Sequence, residues 1–319
     1  MKIALDIMGG DFAPAEPING AVEARDLLSK DDEIILVGNK EVIFDHLKRK
    51  DIDTGLFTIV HADEVIGMNE QPTSALSKKR DSSINIGFQL LKNKAADAFI
   101  SAGNTGAMLV ASIYSANAIP GIIRPCIPAV IPKSNGGYNI ILDVGSNPDC
   151  KPDVLHQFAI IGSIYAEKVM NINAPKVGLL NIGEEESKGN LLTQATFQIL
   201  KDTHELNFIG NVEPGKFFKD YADVIVADGF SGNIVLKEIE AFYEIMVEQG
   251  VDPVFLERFN YENYGGTPIL GINSIAIIGH GISSAKAFKN MFYEAKKIYN
   301  AGFNDHLRKV FHRYVDKLD

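Results

Sequence analysis

Short apolar runs along this chain repeatedly stop at a cluster of Gly, Asn, Ser or Asp, and a helical pattern follows each cluster. The segments with this arrangement are 99–106 (FISAGNTG), 177–183 (VGLLNIG), 208–211 (FIGN), 224–233 (VIVADGFSGN) and 275–281 (IAIIGHG). A strand that ends in a tight turn before a helix presents unpaired N–H groups and a positive helix dipole to a ligand. On neighbouring parallel strands, such loops would form one crevice at the carboxyl edge of a sheet. The pattern therefore predicts a site for phosphate or a phosphorylated molecule.

The alternation of strand-like and helix-like segments predicts an α/β fold, with a mostly parallel sheet and helices on both of its faces. Predicted strands are 2–7, 33–37, 57–60, 98–101, 127–131, 138–142, 176–181, 207–209, 224–227 and 274–278. Helical patterns include 14–29, 82–93, 106–117, 152–171, 191–201 and 284–300. The stretch 120–152 holds two closely spaced strands around Gly136 and Gly137, which indicates an antiparallel hairpin. No long linker divides the chain, so we expect a single α/β catalytic unit over residues 1–319.

Composition excludes several function classes. Hydrophobic residues make up 46% of the chain and charged residues 23%, which is typical of a soluble globular protein. The net charge of −10 argues against a nucleic-acid partner, because binding nucleic acid requires a basic face. Cys126 and Cys150 are too few for a disulfide framework, and neither a signal peptide nor a membrane span is evident. We therefore expect a cytoplasmic protein.

Two loops in the first third of the chain are candidate ligand sites. Segment 6–11 (DIMGGD) follows the first strand, and it is either a substrate loop or a plain turn with an aspartate at the helix start. Segment 101–106 (SAGNTG) combines N–H donors, small residues and hydroxyls, as a phosphate cradle requires, although a structural turn is the alternative. Candidate binding residues here are Asp6, Gly9, Gly10, Asp11, Ser101, Gly103, Asn104, Thr105 and Gly106.

Two later loops carry candidate catalytic groups. In segment 181–190 (NIGEEESKGN), Lys188 is a flexible ammonium suited to clamp an anion, and the nearby Asn190 is a candidate binding residue. The three glutamates before it are either functional or a solvated acidic turn. In segment 228–233 (DGFSGN), Asn233 could donate to a developing oxyanion, with Asp228 and Ser231 as binding residues. Alternatively, Ser231 and Asn233 only cap a helix.

One histidine is a further candidate functional residue, and several common catalytic and binding motifs are absent from the sequence. His280 lies between two glycines at a predicted strand end, where it has either an acid–base or orienting role or a structural one. The two cysteines are interpreted as packed thiols rather than nucleophiles. The sequence has no phosphate-binding GxxxxGK[ST] motif, no dinucleotide-binding GxGxxG after the first strand and no GxSxG elbow. No metal-ligand spacing is convincing either.

Together these segments resemble the phosphate acyltransferase of bacterial phospholipid synthesis, which converts acyl-[acyl-carrier-protein] and orthophosphate into acyl phosphate. The matching stretches are 6–14, 101–106, 179–190, 208–213, 224–237, 264–271 and 279–284, which span nearly the whole chain. The resemblance implies the isocitrate/isopropylmalate dehydrogenase type of fold, a homodimer with an antiparallel arm that would suit hairpin 120–152, and no cofactor. It also implies catalytic roles for Lys188 and Asn233.

The resemblance has further implications for location and partners. Many members of the family carry a longer helical insertion, linked to dimer and membrane contact, where this chain has only residues 234–263. The apolar residues of that shortened segment are Phe242, Tyr243, Ile245, Met246 and Val247. The resemblance thus implies either a cytoplasmic protein or one at a peripheral position on the inner face of the membrane. A membrane-bound acyl phosphate:glycerol-3-phosphate acyltransferase is a candidate partner.

The residues of the candidate loops suit the acyl transfer to phosphate that the resemblance implies. Orthophosphate is already a nucleophile, so direct attack on the thioester needs positioning and oxyanion stabilisation rather than a Ser/His/Asp triad. An acidic carrier protein would need a basic patch, either at 78–80 (KKR) or along Lys286, Lys289, Lys296 and Lys297. Each patch could equally be an ordinary solvated face. The alternatives are a phosphate acetyl- or butyryltransferase using short acyl-coenzyme A, and a non-catalytic scaffold of lipid synthesis.

Overall fold

The computed structural model describes residues 1–251 and 256–317 of the chain. These residues form two compact units. Unit 1 consists of residues 1–118 and 261–300, and unit 2 of residues 119–260 and those from 301 onward. The chain therefore leaves unit 1 after Ala118, returns after Asn260 and leaves again after Asn300.

The strands and helices alternate along most of the chain. The strands are β1 (Lys2–Asp6), β2 (Glu33–Gly38), β3 (Thr58–His61), β4 (Ala98–Ser101), β5 (Pro128–Pro132), β6 (Tyr138–Leu142), β7 (Lys176–Leu180), β8 (Asn207–Val212), β9 (Val224–Val226), β10 (Gly266–Pro268) and β11 (Ile275–Gly279). The α-helices are α1 (Ala15–Ala24), α2 (Lys40–Arg49), α3 (Pro72–Lys78), α4 (Ser83–Lys92), α5 (Thr105–Ala111), α6 (Pro152–Lys168), α7 (Leu191–Lys201), α8 (Gly229–Glu248), α9 (Ala285–Asn300) and α10 (Phe303–Phe311). Among the described residues, no helix is long and apolar enough to cross a membrane.

Unit 1 is built on a six-stranded sheet with the order β10-β11-β4-β1-β2-β3. Its strands are parallel except β10, which is antiparallel to β11. Ile3, Ala4 and Leu5 of β1 are fully buried, as expected for a central strand covered by helices on both faces. Helices α1 and α9 approach closely at Gly20, where a β-carbon would lie 2.3 Å from Cβ of Phe288. Glycine is therefore required there by the close approach of the two helices.

Unit 2 is built on a five-stranded sheet with the order β5-β6-β9-β7-β8. The strands from β6 to β8 are parallel to one another, and β5 is antiparallel to β6. Helix α6 covers this sheet and buries Phe158 and Ile161. A β-carbon at Gly162 would lie 2.6 Å from Cγ1 of Val224, so the helix lies directly against the strands. This packing explains the long apolar pattern of residues 152–168.

Each predicted strand is present, and the mostly parallel α/β class is confirmed. The strands divide over two sheets rather than lying in one, so the strand-end loops lie at two carboxyl edges. The expectation of a single crevice remains a prediction. Strand β10 was not predicted, because its three residues, Gly-Thr-Pro, carry neither alternation nor an apolar run. The expectation of one catalytic unit over the whole chain remains a prediction, since compactness does not decide whether catalysis needs both units.

The prediction of a strand-end loop at 208–211 was wrong. Strand β8 continues through this segment to Val212, and the register between β7 and β8 shifts next to Gly178. Gly210 adopts a φ of 95°, which favours glycine. Gly210 and Asn211 therefore mark an irregularity inside β8, where its pairing register with β7 shifts.

The hairpin predicted within 120–152 is present as β5 and β6, joined by a turn in which Gly136 has a φ of 98°. On its other side β6 pairs with β9, so the hairpin belongs to the sheet of unit 2. Its role in dimerisation remains a prediction. A buried ion pair fixes the end of β5: Nζ of Lys133, 4% exposed, lies 2.6 Å from Asp223 and 3.0 Å from Asp220.

This ion pair predicts unequal effects for its two aspartates. Asp223 is 14% exposed and also accepts a hydrogen bond from the backbone N of Lys176, whereas Asp220 is 64% exposed. Asp223→Asn is expected to lower the free energy of unfolding by about 3 kcal/mol, because it leaves the buried Lys133 ammonium without its main counter-ion. Asp220→Asn, as the matched control, should have a much smaller effect. Equal losses in urea denaturation of the two variants would contradict this interpretation.

Candidate active site

The candidate residues of unit 1 lie at the carboxyl ends of three neighbouring parallel strands, β11, β4 and β1. The loops that follow these strands make direct contact with one another. The backbone N of Asp11 donates a 2.7 Å hydrogen bond to the carbonyl of Gly281. A β-carbon at Gly10, whose φ is 99°, would lie 3.1 Å from that same carbonyl oxygen and 3.3 Å from Cβ of Ala102. The structure thus brings loops 6–11, 101–106 and 279–281 together at one edge.

Asp6 and Ser101 form the buried base of this edge. Asp6 is 1% exposed and accepts hydrogen bonds from Oγ of Ser101 at 2.7 Å and from the backbone N of Met8 at 2.9 Å. Burial raises the pKa of the Asp6 carboxyl, and hydrogen bonds that include those from Ser83 and Ser101 oppose this rise. A β-carbon at Gly9 would lie 2.6 Å from Oδ2 of Asp6, so the loop folds tightly over the carboxyl. These contacts fit a framework that shapes the loop.

Asn104 uses its amide entirely within the protein. Its Nδ2 donates 3.0 Å hydrogen bonds to the carbonyls of Gly67, Met68 and Glu70, and its Oδ1 accepts from the backbone N of Ala107, which caps α5. The next residue, Thr105, is exposed and makes no hydrogen bond with its side chain among the described residues. Within segment 101–106, the hydroxyl of Thr105 is therefore the side-chain group directed toward solvent.

His280 is half-buried at the end of β11. Its ring centroid lies 4.6 Å from that of Tyr261, and its carbonyl accepts a 3.0 Å hydrogen bond from the backbone N of Ser283. The Tyr261 hydroxyl in turn donates to the carbonyl of Ile282. The histidine predicted from the Gly-His-Gly motif thus lies beside loop 6–11, with its ring held against an aromatic neighbour.

The candidate residues of unit 2 lie at a second carboxyl edge. Strand β9 pairs with β6 on one side and with β7 on the other, so the loops after these three strands are neighbours. The loop after β7 holds Lys188 and Asn190, and the loop after β9 holds Asp228, Ser231 and Asn233. Both residues expected to be catalytic from the family resemblance are therefore in unit 2, whereas His280 and the loops of the preceding paragraphs are in unit 1.

Lys188 lies in a loop whose two ends contact each other. Nδ2 of Asn181 donates a 3.2 Å hydrogen bond to the carbonyl of Lys188. The lysine stem packs on Gly183, where a β-carbon would lie 2.8 Å from Cγ of Lys188. The ammonium is exposed and has no ion-pair partner within residues 1–251 and 256–317. Asn190 is the N-cap of α7 and accepts from the backbone N of Thr193.

The glutamates beside Lys188 are mostly engaged with other lysines. Glu184 pairs with Lys216, and Glu186 lies 2.7 Å from Lys201, with both pairs at the surface. This arrangement supports the interpretation of a solvated acidic turn for these two residues. The third, Glu185, lies beside the Lys188 stem, because a β-carbon at Gly183 would be 3.0 Å from its Oε2 and 2.8 Å from Cγ of Lys188.

Asp228 rather than Asn233 caps α8. Oδ1 of Asp228 accepts a 2.8 Å hydrogen bond from the backbone N of Ser231, and its Oδ2 accepts a 2.9 Å hydrogen bond from the Ser231 hydroxyl. Asn233 lies one turn further along the helix, over Gly145, where a β-carbon would be 3.6 Å from Oδ1 of Asn233. The Asn233 amide makes no hydrogen bond with any described residue. Its donors are therefore open to a ligand.

A third loop at this edge, 143–147 (DVGSN), was not predicted as part of the site. Asp143 is fully buried and accepts hydrogen bonds from the backbone N of Ile127 at 2.8 Å and of Asn147 at 2.6 Å. A β-carbon at Gly232 would lie 2.0 Å from the Asp143 carbonyl, so the loop packs against the start of α8. The sequence signal is an apolar run followed by Asp, Gly, Ser and Asn, but its position inside the hairpin region 120–152 hides it.

The cysteines are unsuited to nucleophilic catalysis. Cys126 is fully buried, and burial raises the pKa of its thiol well above the usual value. Burial and the nearby Asp143 raise the pKa of Cys150 to about 11. Because the thiolate is the nucleophilic form, both thiols are unreactive near neutral pH.

The chain is similar to known proteins over nearly its whole length. A family model described as "Fatty acid synthesis protein" matches residues 1–306. A protein named "Phosphate acyltransferase" from Desulfitobacterium hafniense (strain DSM 10664 / DCB-2) is 44% identical, with 99% of each chain covered. A protein of the same name from Dictyoglomus turgidum is 41% identical over all of both chains.

Solved structures with the same fold include two phosphotransacylases. The branched-chain phosphotransacylase from Enterococcus faecalis V583 has a TM-score of 0.64 and 14% identity, covering 94% of this chain and 99% of that chain. The EutD phosphotransacetylase from Staphylococcus aureus has a TM-score of 0.62 and 14% identity, covering 94% of each chain. At this identity the likeness concerns the fold, and it confirms the isocitrate/isopropylmalate dehydrogenase type expected from the resemblance.

The raised pKa of Asp6 predicts a pH-dependent difference between the protein and Asp6→Asn. A carboxyl whose pKa is raised by folding binds a proton in the folded state while it is already ionised in the unfolded chain. As pH rises from about 4, the usual value for aspartate, the wild type should therefore lose stability relative to the variant. Chemical denaturation at several pH values between about 4 and 7 measures this difference. A difference that does not change with pH would contradict the prediction.

Proposed function

The chain belongs to the phosphate acyltransferase family, and on this premise we propose that it converts long-chain acyl-[acyl-carrier-protein] and orthophosphate into acyl phosphate for glycerophospholipid synthesis. It is an acyltransferase enzyme of that family. The observation that carries the proposal is the pair of open polar groups at one edge of unit 2. These are the unpaired ammonium of Lys188 and the amide of Asn233, on loops after adjacent strands.

The proposed mechanism is direct attack of phosphate on the thioester. A phosphate oxygen forms a bond to the carbonyl carbon, the carbon–sulfur bond breaks, and the pantetheine sulfur leaves with its electron pair as a thiolate. Phosphate near neutral pH is largely dianionic and needs no base to activate it. Lys188 holds the dianion, and Asn233 donates to the carbonyl oxygen as negative charge develops there. The unreactive thiols of Cys126 and Cys150 agree with a route that has no acyl-enzyme.

Loops at the edge of unit 1 are proposed to bind substrate. Asp11 and Thr105 are exposed there, and Gly9, Gly10, Gly103 and Gly106 are proposed to shape the binding loops by allowing them to pack closely on neighbouring atoms. Asp6, Ser101 and Asn104 are proposed to act through the shape of these loops, because their side chains are bonded within the protein. His280 is proposed to orient substrate, with its ring positioned by Tyr261. In unit 2, Asp228, Ser231 and Asn190 are proposed to hold their loops for the same purpose.

Carrier-protein docking is proposed at segment 78–80 rather than on helix α9. Three lysines of α9 have acidic partners: Lys289 with Glu23 at 4.0 Å, Lys296 with Asp32 at 2.9 Å and Lys297 with Glu294 at 3.8 Å. This pairing favours an ordinary solvated face for α9. In segment 78–80, Lys79 pairs with Glu70, whereas Lys78 and Arg80 are exposed and have no ion pair within the described part of the chain.

A homodimer and a cytoplasmic location also belong to the proposal. Helix α8 is 20 residues long and buries only Gly229 and Gly232. Toward its C-terminal end Phe242, Ile245 and Val247 are each more than half exposed, and such a surface is typical of a protein interface. Hairpin β5–β6 is mostly buried within unit 2, so α8 offers the larger apolar surface for a second copy. A membrane-bound acyl phosphate:glycerol-3-phosphate acyltransferase is the proposed consumer of the product.

Replacement of Lys188 tests the proposed role of its ammonium. Lys188→Ala is expected to lower kcat/KM for acyl phosphate formation by about 100-fold or more, because a charged group that stabilises the transition state is lost. Lys168→Ala is the matched control, since Lys168 is a lysine of the same unit that pairs with Glu167 on helix α6, away from the Lys188 loop. Its kcat/KM should stay within about twofold of the wild type. Similar losses in both variants, or no loss in Lys188→Ala, would remove Lys188 from the mechanism.

Charge reversal tests the carrier-docking segment. The double variant Lys78→Glu/Arg80→Glu is expected to raise KM for the carrier substrate by about tenfold, because the acidic partner loses two attractive charges. With the acyl group on coenzyme A instead of the carrier, KM should change little. Lys289→Glu on helix α9 serves as the control and should leave both values close to those of the wild type. If KM for the carrier is unchanged in the double variant, the carrier docks elsewhere.

A further inference from the structure

Apolar side chains of unusual exposure flank Lys188. Ile182 is 81% exposed and Leu191 is 87% exposed, and both lie in or next to the loop between β7 and α7. A large aliphatic side chain left in water forgoes the free energy of burial, so a group of such side chains in one place indicates a surface that another molecule covers.

The folding of the loop places these two side chains near Lys188. Ile182 follows Asn181, whose amide bonds to the carbonyl of Lys188. Asn181 also lies against the other end of the loop, because a β-carbon at Gly189 would be 2.5 Å from its Oδ1. Leu191 is two residues beyond Gly189, at the first position of α7. Both ends of the loop thus meet at Asn181, which precedes Ile182 and contacts Lys188 and Gly189, and Leu191 follows two residues later.

The loop after the neighbouring strand repeats this arrangement around Asn233. Phe230 is 63% exposed and Ile234 is 52% exposed. In the first turns of α8, positions 230, 233 and 234 are three and four residues apart and share one face of the helix. Strands β7 and β9 are paired, with Leu179 opposite Val226. Helix α8 therefore begins after the strand next to β7, and the loop that holds Lys188 follows β7. Each candidate catalytic group is therefore flanked by exposed apolar side chains.

We propose that Ile182, Leu191, Phe230 and Ile234 contact the acyl chain of the substrate and set the preference for chain length. This inference rests on the proposed function. Charge complementarity favours an acyl phosphate as occupant over a second copy of this chain. The surface pairs an ammonium that forms no ion pair among the described residues with aliphatic neighbours, and the product pairs a phosphate dianion with an alkyl chain. A purely apolar protein interface would leave the charge of Lys188 without a partner.

Binding of straight-chain alkyl phosphates, as unreactive analogues of the product, tests the proposal. Isothermal calorimetry with chains of about six to fourteen carbons should show the wild-type Kd falling by about two- to fourfold per methylene, up to the limit for full burial. In the double variant Ile182→Ser/Leu191→Ser, the gain in affinity should drop below about 1.5-fold per methylene, while the Kd for inorganic phosphate is unchanged. Leu56→Ser is the matched control, because Leu56 is a 45% exposed leucine in unit 1. Leu56→Ser should retain the wild-type gain in affinity per methylene. Phe230→Ser is an independent second variant, in which this gain should also fall.

Several results would overturn this inference. One is a wild-type Kd that does not depend on chain length. Another is an unchanged gain per methylene in both Ile182→Ser/Leu191→Ser and Phe230→Ser. A third is a shift of these variants from dimer to monomer in sedimentation, together with equal weakening for all chain lengths, which would assign the surface to a second copy. Because binding is measured without turnover, failure of acyl phosphate formation would refute the proposed function separately from this inference.

Discussion

A buried aspartate at the end of a central strand anchors the functional edge of each unit. In unit 1, Asp6 follows Leu5 and ties loop 6–11 to Ser101. In unit 2, Asp143 follows Leu142, holds loop 143–147 and lies against the start of α8. A carboxyl in such a place must be hydrogen-bonded, because an unsatisfied buried polar group is costly. The conformations of the glycine-rich loops depend on these two networks.

Much of the fold could be predicted from the sequence, because buried parallel strands appear as continuous apolar runs and polar turns mark their ends. The division into two sheets could not, since nothing local in the sequence states which strands pair. Strand β10 is too short for a periodic signal, and the Gly-Asn pair in β8 has the composition of a turn although it lies within a strand. In both cases tertiary pairing overrides the local pattern.

Candidate site residues were found by their position after strands, but their roles depend on partners distant in sequence. Asn104 resembles a ligand-binding amide in sequence, and only the fold shows that Gly67, Met68 and Glu70 engage it. Conversely, Lys188 stands beside three glutamates in the sequence, yet two of them pair with other lysines and leave its ammonium open. The exposed apolar side chains around Lys188 and Asn233 could likewise be recognised only once burial was known.

Direct phosphate attack without an acyl-enzyme is the central claim of this account. The most direct measurement is mass spectrometry of the wild-type protein and its products after incubation with long-chain acyl-[acyl-carrier-protein], with and without orthophosphate. We expect acyl phosphate only when orthophosphate is present, and no acylated protein in its absence. An acyl adduct on Cys126, Cys150 or any serine would contradict the mechanism. Turnover with short-chain acyl-coenzyme A alone would contradict the proposed substrate.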